Sequence, residues 1–158
     1  MNNLQRIVAY LCCNYPYGSE LSKARLTKLV YLADWFSALA DERTLTDIEW
    51  VFNHYGPYVD DVVDSVSRHN SFNIERTQTM YGSDKWVISY DGDREELDSL
   101  DERTKEILNL VITNTQTMYF NSFIDYVYST YPVRAQNRYA HLDLVELANE
   151  YLAQETEA

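Results

Sequence analysis

The sequence predicts a mainly helical α+β protein, a compact bundle of about six helices with a small antiparallel β-hairpin. Apolar residues recur at helical spacing in six segments that turn-forming residues separate. Two short runs rich in strand-forming residues flank a turn at residues 82–84. A length of 158 residues without an internal repeat suits one hydrophobic core, so we expect a single domain over residues 1–158.

Apolar stripes predict three helices in the first half of the chain, over residues 3–13, 26–40 and 57–68. The second has the strongest periodicity and is apolar on both sides, so we expect a central helix that is buried from two directions. Residues 44–55 alternate in polarity and predict an extended segment that ends at the turn Gly56-Pro57. Proline suits a first helical turn, so the third helix is expected to begin at Pro57.

The second half begins with the predicted hairpin, whose strands are Phe72–Gln78 and Lys85–Tyr90. The acidic residues 91–96 that follow are expected to form a solvated linker. Ser99 with Glu102 has the spacing of a capping box and predicts the start of the fourth helix. The fifth and sixth helices are expected from Ser122, ending before Pro132, and from about Asp143.

Composition limits the classes of partner. The chain has 13 Lys plus Arg against 25 Asp plus Glu, a formal charge of −12, which repels phosphate backbones and makes nucleic acid an unlikely partner. A basic protein would be attracted to such a surface, although acidity also serves solubility alone. Cys12 and Cys13 are adjacent and cannot staple the fold, a pattern that suits the reducing cytoplasm. We expect no targeting segment and no membrane helix, because charged residues interrupt every apolar run.

Catalytic, metal and cofactor motifs are not evident. The three histidines are scattered, and the sequence contains no Gly-rich phosphate loop, GxSxG elbow, HExxH or CxxC pair. We therefore expect no catalytic residue, no metal and no cofactor, and favour a binding protein over an enzyme.

One stretch resembles a known family. Residues 26–35 read LTKLVYLADW, and Trp50 and the run YGPYV at 55–59 follow in that order. This order resembles the Panacea domain of SocA-like antitoxins, a family in which a helix of LxKLxYxA type precedes a YGP segment and a further helix. The matching residues are Lys28, Tyr31, Ala33, Tyr55, Gly56 and Pro57. Residues 127–132, VYSTYP, are similar to the YP-type feature near the family's C-terminus.

The resemblance implies a helical α+β domain with a hairpin, and an antitoxin of a bacterial or phage toxin-antitoxin pair that neutralises a cognate protein toxin by direct binding. Toxins of this family are diverse, so the resemblance does not identify the toxin. SocA instead delivers its toxin to a ClpXP-type protease, which makes a proteolytic adaptor one alternative. A DNA-binding regulator is the other, but the net charge and the lack of an added DNA-binding domain disfavour it.

Aromatic residues in turns are the first candidates for toxin contact, because rigid aromatic side chains on loops often anchor interfaces. The candidates are Tyr15, Tyr17, Tyr55, Tyr58 and, on the second helix, Trp35. The alternative is packing, which we expect for Trp35, Trp50 and Trp86, since large aromatics bury most of their surface. Tyr55, Gly56 and Pro57 are expected to shape the turn, or else to border the toxin site.

Charged residues are the second group of candidates. Lys28 lies on an otherwise apolar helix and is expected to form an internal ion pair with Asp34 or Asp60, or alternatively to contact the toxin. Asp60, Asp61 and Asp64 fall on the predicted third helix, where Asp60 and Asp64 share a face that could receive cationic residues of a toxin. The alternative for this face is simple solvation.

Overall fold

The structure is a computed structural model that describes residues 1–54 and 56–157. The α-helices are α1 (Asn3–Asn14), α2 (Lys23–Asp41), α3 (Asp61–Ser67), α4 (Glu102–Thr115), α5 (Phe120–Tyr128), α6 (Tyr131–Ala135) and α7 (Leu144–Glu157). The strands are β1 (Trp50–Asn53), β2 (Gly56–Tyr58), β3 (Phe72–Gln78), β4 (Asp84–Tyr90) and β5 (His141–Leu142). Two 3-10 helices cover Gly18–Glu20 and Arg94–Ser99. The class is mainly helical α+β as predicted, with more helices than the six expected.

Helix α2 is the centre of the fold. It packs against α1, α3, α4, α5 and α7, and every residue from Arg25 to Trp35 on it is buried. The helix begins at Ser22, whose hydroxyl accepts a hydrogen bond from the Arg25 amide at 3.1 Å. It ends at Glu42, which has a left-handed φ of 58°. The prediction of a central helix that is buried from more than one direction is therefore confirmed.

A three-stranded antiparallel sheet lies beside α2, in the order β2-β1-β5. Phe52 pairs with Pro57, so the residues after Gly56 form a strand, and the prediction that a helix begins at Pro57 is wrong. Gly56 has a φ of 93°, which turns the chain back onto β1, and α3 begins only at Asp61. The two residues of β5 are too few to show alternation in the sequence, and this strand was not predicted.

The predicted hairpin is confirmed as β3 and β4, which pair from Phe72 with Tyr90 to Gln78 with Asp84. A short hairpin alone is marginally stable. This one is attached to the start of α2, because the Ile88 amide donates to the Leu21 carbonyl at 2.9 Å. The attachment places the outer half of β4 beside the first turn of α2.

Three boundaries in the second half differ from prediction. The cap of α4 is Asp101, whose carboxylate accepts from the Thr104 amide at 2.7 Å, so Ser99 does not cap this helix. The acidic segment is not wholly an irregular linker, since its end enters the 3-10 helix Arg94–Ser99. Helix α5 ends at Tyr128, and Pro132 lies in the first turn of α6, a position where a missing amide hydrogen has no cost.

Candidate functional site

Lys28 lies in the interior with 2% of its surface exposed. It forms no ion pair and no side-chain hydrogen bond with residues 1–54 or 56–157. The predicted partner Asp34 bonds to other groups, and Asp60 accepts from the Tyr58 hydroxyl at 2.9 Å, so the predicted ion pair is wrong. Burial lowers the pKa of the Lys28 amine to about 8.

The Gly56-Pro57 turn covers Lys28. A Cβ atom added to Gly56 would lie 3.7 Å from Lys28 Cε and 3.5 Å from Cζ of Tyr128, the last residue of α5. Gly56 and Pro57 are buried, which leaves them little surface for a partner. Tyr55, the third residue of this motif and a predicted contact, lies outside the described residues.

Asp34 is a buried carboxylate on α2 that accepts four hydrogen bonds. Its carboxylate accepts from the amides of Leu45 and Thr46 at 2.8 and 3.0 Å, from the Thr46 hydroxyl at 2.5 Å and from the Trp50 indole at 2.9 Å. Burial raises the pKa of Asp34, while these hydrogen bonds act in the opposite direction. The cluster fixes the loop between α2 and β1, and it assigns Asp34 and Trp50 to structure.

Arg25 anchors the other end of α2 and is 1% exposed. Its Nη2 donates to Tyr15 Oη at 2.7 Å and to the carbonyls of Thr115 and Met118 at 3.1 and 2.8 Å. The guanidinium also lies 4.6 Å from the centre of the Phe123 ring. Arg25 therefore ties α2 to the segment between α4 and α5.

The aromatic candidates fall in different environments. Tyr15 and Trp35 are each 4% exposed, so the structure places both in the core. Tyr17, two residues later, is 59% exposed. Tyr58 is half-buried on β2. The prediction that the Tyr15 turn is exposed thus holds only for Tyr17.

The acidic candidates lie at the beginning of α3. Asp61 and Asp64 are exposed and line a shallow depression with residues 2–4 and Arg68. Asp60 is exposed and caps the helix, and its carbonyl accepts from the Asp64 amide at 2.8 Å, so the two residues lie one helical turn apart on the same side of α3.

A groove of about 360 Å³ lies between the hairpin and the starts of α2 and α5. We call it the aromatic groove. Its exposed aromatic walls are Trp86, 42% exposed, and Phe120, 39% exposed. The Lys23 ammonium lies 4.9 Å from the centre of the Trp86 ring. The remaining lining residues are Glu20, Ser22, Ala24, Arg25, Thr79, Asp84 and Lys85.

A second depression adjoins the groove at Glu20. We call it the tyrosine depression, because Tyr17 and the 84% exposed Tyr119 line it together with residues 116–118. Met80 and Tyr81, at the tip of the hairpin just after the groove residue Thr79, are 89% and 88% exposed. Six of the large apolar side chains described as exposed thus lie in or next to these two depressions; they are Tyr17, Met80, Tyr81, Trp86, Tyr119 and Phe120.

Sequence reasoning missed this groove. Trp86 is expected in the core because large aromatics bury most of their surface, but it is 42% exposed. It shares a strand face with the buried Ile88 but lies nearer the tip of the hairpin, where the groove is open. Neither Phe120 nor Tyr119 was a candidate, and the only signal for them was the pair of large aromatics at the start of a helix.

Within residues 1–54 and 56–157, no group of His, Cys, Asp or Glu side chains has a geometry that could hold a metal ion. In the same part of the chain, no helix is both long and apolar enough to cross a membrane.

The model of the family described as "Antitoxin SocA-like, Panacea domain" matches residues 26–132, from the second turn of α2 to the start of α6. The chain belongs to the SocA-like antitoxin family. No curated protein and no solved structure matches it significantly.

The matched part of the Panacea domain contains the buried motif residues Lys28 and Gly56 as well as both groove walls, Trp86 and Phe120. Tyr17, Lys23 and Arg25 precede the matched region. The aromatic groove therefore lies between residues inside the matched region and the first residues of α2, which precede it.

Proposed function

We propose that the chain is an antitoxin that neutralises a protein toxin by binding it directly, and that it performs no chemistry of its own. Its membership of the SocA-like antitoxin family carries this proposal. The toxin-binding surface is the aromatic groove together with the tyrosine depression.

Three properties of this surface support the assignment. Aromatic side chains are enriched at the centres of interfaces, and here they are exposed around a concavity. The support beneath them is rigid, because Arg25 is tied by hydrogen bonds to the segment between α4 and α5. A standard interface takes roughly 800 Å² from each partner. That is about a tenth of the 8747 Å² surface of this chain, so the interface would extend from the two depressions onto the hairpin tip, where Met80 and Tyr81 are exposed.

Co-expression with the product of the adjacent gene tests the proposal. We expect that product to be toxic alone, to be tolerated with this chain, and to copurify with it in a fixed stoichiometry. The double variant Trp86→Ala/Phe120→Ala should lose both copurification and rescue. Leu110→Ala/Leu152→Ala is the matched control, since these side chains are 48% and 41% exposed and lie outside the groove.

The same cells distinguish the other mechanisms. If the chain passes the toxin to a ClpXP-type protease, the toxin's lifetime falls when the chain is present and recovers when the protease is deleted. If it represses its own operon, rescue disappears when toxin is expressed from an unrelated promoter. Rescue without any complex, under gentle purification or by cross-linking, would exclude direct neutralisation.

A further inference from the structure

The charge of the aromatic groove is opposite to that of the whole chain. Lys23, Lys85 and Arg25 line it, against the two carboxylates of Glu20 and Asp84. Both carboxylates already have cationic partners. Glu20 lies 3.7 Å from Arg25 Nη1, and Asp84 lies 3.0 Å from Arg76 Nη2, outside the groove lining.

The two lysines remain available. Neither Lys23 nor Lys85 forms an ion pair with residues 1–54 or 56–157. Both are half-buried, so an anion that reached them would be less screened than at an open surface. Arg25 at the floor is paired with Glu20 through Nη1 and is not one of the available cations.

Apolar surface accompanies these cations. Trp86 and Phe120 present exposed rings in the same groove, and Lys23 holds its ammonium over the Trp86 ring. A ligand that suits this combination has an apolar side chain to cover the rings and a carboxylate beside it to meet the ammonium groups. A cationic ligand would be disfavoured, because Lys23 and Lys85 would repel it and the two carboxylates of the groove already have cationic partners.

We propose that the aromatic groove binds an acidic segment of the partner protein, in which an apolar residue lies against Trp86 and Phe120 and a neighbouring carboxylate lies between Lys23 and Lys85. This inference rests on the proposed function and specifies the partner's chemistry. It differs from what the net charge of −12 favours, which is a basic partner. Local charge decides the contact because a Debye length of about 8 Å in physiological salt screens the distant carboxylates.

A peptide titration tests the groove without any toxin. The ligand is a short capped peptide with one phenylalanine flanked on each side by two glutamates, and its counterpart has glutamines in their place. The reporter is the indole N–H signal of Trp86 in an NMR spectrum of the full chain, since the other two tryptophans are buried. We expect the acidic peptide to shift that signal and to bind about fivefold tighter than its neutral counterpart.

Charge reversal tests the same claim with the toxin. Lys23→Glu/Lys85→Glu should weaken the complex at least about tenfold, since each reversal replaces an attraction by a repulsion. Arg43→Glu/Arg138→Glu is the matched control, because it changes net charge equally at two exposed arginines outside the groove lining. We expect the control to bind within about twofold of the wild type.

The outcomes separate the two proposals. If the toxin never binds, the proposed function fails, while the peptide titration still decides what the groove accepts. Equal shifts from both peptides, or none from either, overturn the acidic-segment proposal even if the toxin binds elsewhere. A shift of the Trp86 signal on concentrating the protein alone, with dimers in sedimentation, would instead assign the groove to a second copy of this chain and overturn the proposal.

Discussion

Arg25 and Lys28 are buried cations one turn apart on α2, with 1% and 2% of their surfaces exposed, and their surroundings differ completely. Arg25 Nη2 alone makes three hydrogen bonds, and two aromatic rings flank the guanidinium. Lys28 has no such partner among the described residues, and its pKa falls to about 8. The free-energy cost of burial therefore differs between the two cations, because only the planar guanidinium of Arg25 is surrounded by hydrogen-bond acceptors.

The two cations therefore have different effects on α2 and its neighbours. At Arg25 the charge joins α2 to the segment between α4 and α5 and so supports the aromatic groove. At Lys28 the charge opposes folding at neutral pH, since burial removes part of the hydration of the ammonium and no described residue pairs with it. Four substitutions test this comparison.

Arg25→Met should have the largest effect, a loss of roughly 3–5 kcal/mol in the free energy of unfolding. It removes the side-chain donor to the Met118 carbonyl and one of the donors to the Thr115 carbonyl, which keeps the Tyr15 hydroxyl and the Met118 amide. Urea unfolding followed by circular dichroism measures the change. Arg103→Met is the control, because Arg103 is 44% exposed and its pair with Asp41 lies at the surface, where solvent screens it.

Lys28→Met should act in the opposite direction and stabilise the protein by about 3 kcal/mol at pH 7, which is the cost of a pKa lowered from 10.5 to about 8. The folded state releases the proton near pH 8 and the unfolded state near 10.5. The wild type therefore gains stability as pH rises between these values, and the advantage of the variant should shrink.

Unfolding of both proteins in urea at pH 7 and pH 10 checks the Lys28 prediction. Lys105→Met serves as the control, since Lys105 is 22% exposed and pairs with Glu102 on the surface, and it should show no such pH dependence. A Lys28→Met protein that is less stable than the wild type at pH 7 would contradict the account of Lys28 as an unsatisfied charge.

Asp34→Asn should cost about 2 kcal/mol. The carboxylate accepts four hydrogen bonds, and the new amide would direct its NH₂ group at donors such as the Trp50 indole. A thermal melt together with near-ultraviolet circular dichroism, which reports on Trp50, measures the loss. A melting temperature unchanged from the wild type would show that the Asp34 cluster does not hold the loop before β1.

Tyr15→Phe should have the smallest effect, about 1 kcal/mol. It removes an oxygen that accepts from Arg25 Nε and Nη2 at 3.2 and 2.7 Å, but Nη2 keeps both of its carbonyl acceptors. Calorimetry of the variant beside Arg25→Met measures how much of the Arg25 contribution depends on Tyr15. Equal losses from the two variants would mean that the carbonyl bonds contribute little.

The candidate site shows where sequence reasoning succeeds and where it stops. Tyr17 was identified because it lies in a turn, and it is exposed beside the tyrosine depression. Tyr15, from the same turn, is buried because its hydroxyl meets Arg25 and Thr115, residues far from it in sequence. Trp86 is expected in the core from the size of its side chain, although size does not show whether another element covers that part of the strand.

The sequence by itself determined the helical class, the central position of α2, the β3–β4 hairpin and the family. Apolar spacing and a short motif encode these features locally. Only the tertiary structure decided that Arg25 Nη2 has three acceptors while Lys28 has no partner among the described residues, that residues 56–58 form a strand, and that Trp86 and Phe120 line one groove with two available lysines. These features depend on contacts between residues that are distant in the chain. The packing of whole helices and strands decides which of those residues meet.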